Sequence, residues 1–373
     1  MSEITINNKS RIISGRCKID KLAGLIRPGC KRAVVVKDPL IPESAASGIA
    51  SMLLKKGIDC VFYTDIKGRI SSKDAEALSD FIKKGFIQCV IGFGGCKIIN
   101  TARLAVSSAE SGRGIDDILD SGYVQINDKT RIEYLEIPSS IRNPLMFTSL
   151  AASADSRSRE VKIIDTGMAP SVIIRDPSLY ESLPRSRKDS IYFELLLNAA
   201  EQLLLRERHF FTDSLLSAVF AKLFKSRGEL SIDELSDAAL CCDYASSISG
   251  PGIGYYISLV LNNLTGVPGS FLSAILLPHL LDNYFSSLPD SADEIIRYAG
   301  MENSAADFGS EDFTAEIRKL IKIKNLPIRL SETGIRKEIL QPASLLSSEY
   351  PDYVKPGISM TAEKISALLK SAF

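Results

Sequence analysis

Along the first half of the chain, short apolar runs alternate with amphipathic stretches. Ala33-Val34-Val35-Val36 is a continuous apolar run, as expected of a strand buried on both faces. Residues 42–56 place Ala46, Ile49, Met52 and Leu53 on one helical stripe, which Gly57 stops. Cys60-Val61-Phe62-Tyr63 predicts the next strand. Ser72 predicts the cap of a helix through Leu78, Phe81 and Ile82, and Lys83-Lys84-Gly85 its end. Residues 88–91 predict a third strand running straight into Gly92-Phe93-Gly94-Gly95, with a helix over 98–106. Residues 134–137 and 171–174 predict further strands. Alternation of this kind needs helical crossovers, so it predicts a doubly wound, mostly parallel sheet.

Near Asp176-Pro177 the texture changes. Helical patterns follow at 191–205, 213–224, 232–247, 257–264 and 271–284, with a tail at 361–369. The expected organisation is an α/β nucleotide-binding-type domain over 1–176 and an all-helical domain over 177–373. Residues 176–184 read as the hinge. In such a chain the expected ligand site is the cleft between the domains, at the carboxyl ends of the strands.

Composition narrows the function classes. The 373 residues carry 45 Lys+Arg and 45 Asp+Glu, so net charge is zero. A nucleic-acid or anionic-membrane binder needs a basic surplus, and neither partner is expected. No apolar run reaches the roughly 18 residues of a membrane span. The polar stretch Met1 to Lys18 has no signal-peptide core. Seven cysteines, an odd count without CxxC spacing, argue against a disulfide framework and for a reducing cytoplasm. Only two histidines, His209 and His279, are present, which leaves little for a metal site built on imidazoles. His209 reads as part of an exposed interhelical loop beside Arg206, and His279 as a structural helix end after Pro278.

The chemistry centres on Gly92-Phe93-Gly94-Gly95-Cys96-Lys97, between a strand and a helix. Glycines there let backbone N–H groups approach a phosphate, the helix N-terminus adds a favourable dipole, and Lys97 adds charge. The same residues also suit a tight strand–helix turn with no ligand. Asp38, just past the first predicted strand, reads either as an acceptor for ribose hydroxyls or as a turn residue before Pro39. Cys96 at a helix start reads as a reactive thiol or as a small residue tolerated in a turn.

Several stretches add up in register. Residues 94–103, Gly-Gly-Cys-Lys-Ile-Ile-Asn-Thr-Ala-Arg, look like a GGG(S/K)xxDTAK loop. Ile137-Pro138-Ser139-Ser140 looks like a (I)PTT segment. Lys162, Pro170, Asp176-Pro177 and Leu183-Pro184 follow a K…P…DP…LP pattern. Residues 274–279 look like an AILLP helix, and Leu326-Pro327 with the tail like an lgiP..L terminus. Together they resemble the iron-containing alcohol dehydrogenase and glycerol dehydrogenase superfamily, which shares its fold with dehydroquinate synthase.

The resemblance implies NAD or NADP along Asp38, Gly94, Gly95, Cys96, Lys97, Asn100, Ser139 and Ser140. It also implies Fe²⁺ or Zn²⁺ on four helical-domain ligands, an Asp and three His. Alignment on Glu201 and Pro278-His279 puts Glu194, Asn198, Tyr255 and Gly269 at those positions, and Leu259 where a histidine beside the nicotinamide belongs. One carboxylate, one amide and one phenol do not make a transition-metal site, so none is expected. Adjacent Cys241 and Cys242 point about 100° apart on a helix and do not chelate together. Asn100 replaces a family Asp, Cys96 a third glycine, and Asn143-Pro144-Leu145-Met146 a hydroxyl-rich TGSE stretch.

The expected function is a metal-independent oxidoreductase acting on a small alcohol or carbonyl substrate in the interdomain cleft. Tyr255 and Lys162 are its catalytic candidates, with Tyr256 and Arg142 as further donors. The alternatives are a catalytically degenerate homologue that binds small molecules or partners, and a sugar-phosphate cyclase supported by Glu194 alone. A homodimer is a further expectation.

Overall fold

Every strand of the main sheet runs the same way, as buried apolar runs joined by helices require. The computed structural model describes residues 9–66, 68–126, 131–205, 208–301 and 308–373. The first eight residues of the polar N-terminal stretch, and Arg206, lie outside them. The described chain divides into two units, one within Asn7–Glu181 and one within Ser182–Phe373.

The first unit holds strands β1 (Arg11–Ser14), β2 (Arg32–Lys37), β3 (Asp59–Tyr63), β4 (Cys89–Gly94), β5 (Glu133–Pro138), β6 (Leu150–Ala154), β7 (Val161–Asp165) and β8 (Val172–Arg175). Its helices are α1 (Leu22–Leu25), α2 (Glu43–Leu54), α3 (Ser72–Lys84), α4 (Cys96–Ser111) and α5 (Ile115–Ser121). The six-stranded order is β1-β8-β5-β4-β2-β3, and β6 and β7 form a separate antiparallel pair. Ile49 and Leu53 of α2 pack with Val35, Ile91 and Phe93 on one face. Leu78 of α3 and Ala102, Ala105 and Val106 of α4 pack with Val34, Val36 and Val90 on the other. The chain leaves β2 toward edge strand β3, whereas it leaves β4 toward β5. The reversal therefore lies between adjacent strands β2 and β4, where doubly wound sheets open a crevice at their carboxyl ends.

Three strands escape the pattern. β1 has only two apolar residues between polar ones, and β6 is Leu-Ala-Ala-Ser-Ala, short of β-branched residues. β7 gains its partner only by folding back on β6. The cap expected at Ser72 belongs to Ser71, whose extended backbone turns Oγ toward the Lys73 N–H at 3.3 Å. Ser72 is instead buried and accepts from the Ser156 N–H at 3.1 Å.

The second unit is all-helical among its described residues: α6 (Arg185–Leu203), α7 (Phe210–Ser226), α8 (Ile232–Ser249), α9 (Ile253–Thr265), α10 (Gly269–Ser287), α11 (Pro289–Tyr298), α12 (Ser310–Ile323), α13 (Leu340–Ser348) and α14 (Ala362–Ser371). Ser231 and Glu234 close α8 with a reciprocal capping box. Phe224 of α7 stacks on Phe313 of α12, ring centres 5.0 Å apart. Pro278 does not end its helix. It sits inside α10, flanked by Leu277 and Leu280, whose burial holds the helix through the missing hydrogen bond. His279 is therefore a mid-helix residue, with Nδ1 3.2 Å from Ser371 Oγ of α14. No helix among the described residues is long and apolar enough to cross a membrane.

Candidate functional site

Three adjacent strands end at one rim. β2 ends at Lys37 and leads to Asp38, β4 ends at Gly94 and leads to Gly95, and β5 ends at Pro138 and leads to Ser139. The two central glycines have different reasons. A Cβ on Gly94 would lie 2.6 Å from Ile98 Cγ1, so this glycine lets α4 fold tightly back on its strand. Gly95 has an ordinary φ of −72°, and a Cβ there would meet nothing within 4 Å. Neither strain nor packing explains it. The open space lies at the N-terminus of α4, whose cap makes no side-chain hydrogen bond. First-turn N–H groups and the helix dipole favour an anion there.

Asp38 acts as the turn residue. Its N–H donates to the Phe93 carbonyl at 3.0 Å, and Oδ1 accepts from the Leu40 N–H at 3.0 Å. The carboxylate stays half-buried at the rim. Buried Lys37 steadies this turn, donating Nζ to the Ile41 carbonyl at 3.0 Å and pairing with Glu43 Oε1 at 2.6 Å. Lys97 does not face the opening with a spare charge. Its Nζ donates to the carbonyls of Ile66 (3.4 Å) and Gly68 (3.0 Å) beyond β3. Asn100 and Thr101 are buried on α4, and Asn100 Oδ1 and Thr101 Oγ1 have no hydrogen-bond partner among the described residues.

The segment after β5 forms a fixed wall beside the glycines. Ser139 N–H donates to the Gly94 carbonyl at 2.9 Å. Arg175 Nη2 donates to the Ile141 carbonyl at 3.1 Å. Cys96 Sγ donates to the Arg142 carbonyl at 3.3 Å and lies 3.6 Å from Ser140 Oγ. The thiol is thus turned onto the wall. Deeper in, Arg103 of α4 holds the carbonyls of Leu145 and Thr148, both at 2.9 Å, and of Leu150 at 2.5 Å, while pairing with Glu136 of β5.

Lys162 lies on β7 in a different company. Its Nζ is 3.5 Å from Asp155 Oδ2 and 4.0 Å from Asp120 Oδ1, and it donates to the Leu119 carbonyl at 3.4 Å. Arg157 binds the same two carboxylates and holds Asp155 well below the usual carboxylate range. No hydrogen bond joins Lys162 to the glycine turn among the described residues.

The positions aligned with metal ligands all lie in the helical unit. Glu194 and Asn198 are on α6, Tyr255 is half-buried on α9, and Gly269 opens α10. The Asn198 amide is engaged: Nδ2 donates to Ser246 Oγ at 3.2 Å, and Oδ1 accepts from Gln202 Nε2 at 3.1 Å. Among the described residues, no three His, Cys, Asp or Glu side chains gather as a metal-holding group. His209 is the half-buried N-cap residue of α7 rather than part of an exposed loop, because its carbonyl anchors the first turn through the Asp213 N–H at 2.9 Å.

Sequence reasoning passed over Glu136 and gave Arg103 no role. Its available signal was a lone carboxylate inside an otherwise apolar run, Tyr134-Leu135-Glu136-Ile137. Glu201 served only as an alignment anchor. It is buried, accepting from the Gly254 N–H (2.8 Å) and the Tyr284 hydroxyl (3.1 Å), so it fixes the start of α9 that carries Tyr255.

The family described as iron-containing alcohol dehydrogenase matches this chain over residues 9–177. Alcohol dehydrogenase 4 of Saccharomyces cerevisiae (strain YJM789) is 21% identical over 361 residues, covering 92% of this chain and 91% of its own. An NADH-dependent butanol dehydrogenase A from Thermotoga maritima shares the fold at a TM-score of 0.85 with 16% identity, covering 100% of this chain and 99% of that one. An alcohol dehydrogenase from Oenococcus oeni does so at 0.86 with 16% identity, covering 100% of both chains. With the reversal between β2 and β4 and the all-helical second unit, these matches show that residues 9–177 carry the iron-containing alcohol dehydrogenase pattern and that the chain has the fold of these dehydrogenases.

Proposed function

We propose that the protein is a nicotinamide-dependent oxidoreductase that interconverts a small alcohol and its carbonyl compound without a transition metal. The observation that carries this reading is the open space at Gly95, at the reversal point of the sheet and one strand from Asp38. The backbone of Gly94, Gly95, Cys96 and Lys97 would line the pyrophosphate of NAD or NADP, the Cys96 thiol and the Lys97 ammonium being turned to other partners. Asp38 would meet a ribose hydroxyl. Asn100, Ser139 and Ser140 would serve the remaining polar groups, and the buried Asn100 Oδ1 is an acceptor still to be used. The butanol dehydrogenase relative is described as NADH-dependent, which agrees with this assignment.

The bound cofactor supplies hydride transfer. The chain's part is to orient it and to stabilise charge on the substrate oxygen. Metal-dependent relatives leave that charge to an ion. Here the aligned donors are Glu194, Asn198 and Tyr255, and the Asn198 amide is already engaged with Ser246 and Gln202. Such a set does not fit a transition metal. The Tyr255 hydroxyl would donate its proton from Oη as the carbonyl oxygen becomes an alcohol. Lys162 is the second donor, and it must first leave Asp155 and Asp120.

The test is NADH or NADPH oxidation by metal-free protein with short aldehydes and ketones. Stoichiometric conversion to alcohol supports the reading. If neither nucleotide shifts the melting temperature, the protein is instead a catalytically degenerate relative kept for small-molecule or partner binding.

A further inference from the structure

The helical unit contains a cavity of about 500 Å³, within the size range of small-molecule sites. Leu205 after α6, His209 at the start of α7 and Ile248-Ser249 at the end of α8 form one side. Residues 350 and 355–359, between α13 and α14, form the other.

This second side is a strap fixed by backbone contacts. The Lys355 N–H donates to the Pro251 carbonyl at 2.9 Å. A Cβ on Gly357 would lie 2.5 Å from the Leu204 carbonyl, so only glycine lets the strap approach the end of α6. Gly250 has φ +81° and would drive a side chain into the Tyr353 carbonyl, so the end of α8 is held against the strap as well. The walls therefore stand in place before a ligand arrives, which lowers the ordering cost of binding.

The lining has a definite chemistry. Leu205, Ile248 and Ile358 are aliphatic, Ser249 and Tyr350 carry hydroxyls, and Lys355 carries a positive charge. Among the described residues no Asp or Glu lines the cavity, and none pairs with the Lys355 ammonium, which stays exposed at its mouth. The Lys355 stem lies over Gly250, where a Cβ would be 3.0 Å from Cγ. An aliphatic body beside one unpaired cation and several hydroxyls complements an organic anion with a short hydrocarbon tail.

We propose that this cavity is a binding site for short-chain aliphatic carboxylates, with Lys355 as the carboxylate-binding residue and Leu205, Ile248 and Ile358 around the tail. The site needs neither nucleotide nor turnover, so it stands or falls apart from the oxidoreductase reading.

Calorimetric titration of the full chain with butyrate, n-butanol and n-butylamine tests it. Butyrate should bind at least about tenfold more tightly than n-butanol, since a charge-assisted hydrogen bond is worth roughly 1.5–3 kcal/mol. Butylamine should not bind. Lys355→Met should lose about tenfold for butyrate while keeping the circular-dichroism spectrum. Ile248→Trp should fill the cavity and abolish binding. Undiminished butyrate binding in Lys355→Met, equal binding of butylamine, or no binding of butyrate to the native chain would each overturn the proposal.

Discussion

Arg103 and Glu136 form an ion pair closed to solvent: Nη2 lies 2.5 Å from Oε1, and both side chains are 0% exposed. The pair joins helix α4 to strand β5 below the glycine turn. Burial works against both charges, and each partner offsets it for the other; for Glu136 burial is the larger effect and pushes its carboxyl up. The same guanidinium also holds the 145–150 carbonyls, so it sets where the wall beside Gly95 stands.

Removing one partner should therefore cost more than removing both. Arg103→Met strands a buried carboxylate and three or more carbonyls and should destabilise the protein by about 3–5 kcal/mol. Arg103→Met combined with Glu136→Leu should recover part of that loss, because no unpaired charge remains. Urea unfolding of the two variants checks this. Equal losses would show that the carbonyl contacts, rather than the ion pair, carry the stability.

The two glycines give a second contrast. Gly95→Ala places a methyl in open space and should change stability by less than about 0.5 kcal/mol. Gly94→Ala drives a methyl into Ile98 and should cost about 1–3 kcal/mol, as overpacking does. For nucleotide binding the order should reverse in kind. Gly95→Asp should abolish binding through like-charge and steric conflict with the pyrophosphate while the fold persists. Thermal melts with and without NAD(H) and NADP(H) separate the two effects, and unchanged binding in Gly95→Asp would mean the nucleotide lies elsewhere.

The parallel sheet was legible because its central strands are buried on both faces and read as unbroken apolar runs. Residues 33–36 and 88–91 announced β2 and β4, and the glycines after them announced the rim. β6 was not legible, because Leu-Ala-Ala-Ser-Ala owes its extended form to pairing with β7 rather than to its own preference. The helix over 271–284 was legible through Pro278, but His279 was misplaced at a helix end, because the buried residues on both sides of the proline carry α10 past it. Asp38 and Gly95 could be proposed from position, but the reasons that separate Gly94 from Gly95 are tertiary. One is contact with Ile98 and the other is empty space. Arg103 was visible as a residue and invisible as a clamp, since its acceptors are backbone carbonyls 42 to 47 positions away.

His279 predicts a pH effect. Burial lowers its pKa below the ordinary 6.5, nearby Arg318 adds to this, and Asp282 opposes it. Ser371 Oγ faces its Nδ1 from α14. The folded value lies below the unfolded one, so the unfolded chain takes up the proton first as pH falls. Stability from this group is therefore complete above 6.5 and declines as pH drops from there through the folded value. His279→Gln should flatten that part of the profile. Unfolding free energies compared between about pH 8 and about pH 5 check it, against ordinary carboxylate titration nearer pH 4. A profile unchanged by the substitution would assign the decline to other groups.

The last expectation concerns metal. At the four positions that the resemblance aligns with metal ligands, Glu194 is the one anionic side chain. Asn198 is neutral and already bonded to Ser246 and Gln202, and Gly269 has no side chain. Tyr255 is a phenol, which ligates a metal only after giving up its proton. The two histidines lie elsewhere: His279 of α10 faces Ser371 of α14, and His209 is the N-cap residue of α7. A hard cation such as Mg²⁺ could visit Glu194 with water, but a single carboxylate gives weak and exchangeable binding. Activity should therefore survive chelators and should not rise with added Fe²⁺ or Zn²⁺. Tyr255→Phe should lower carbonyl reduction by about 10²–10⁴-fold, the usual worth of a positioned proton donor, with nucleotide affinity unchanged. Glu194→Ala should leave turnover within a few-fold of the native protein. Elemental analysis of freshly purified protein is the decisive measurement. Near-stoichiometric iron or zinc that disappears in Glu194→Ala would show that donors outside the aligned positions complete a metal site and would return the carbonyl chemistry to the ion.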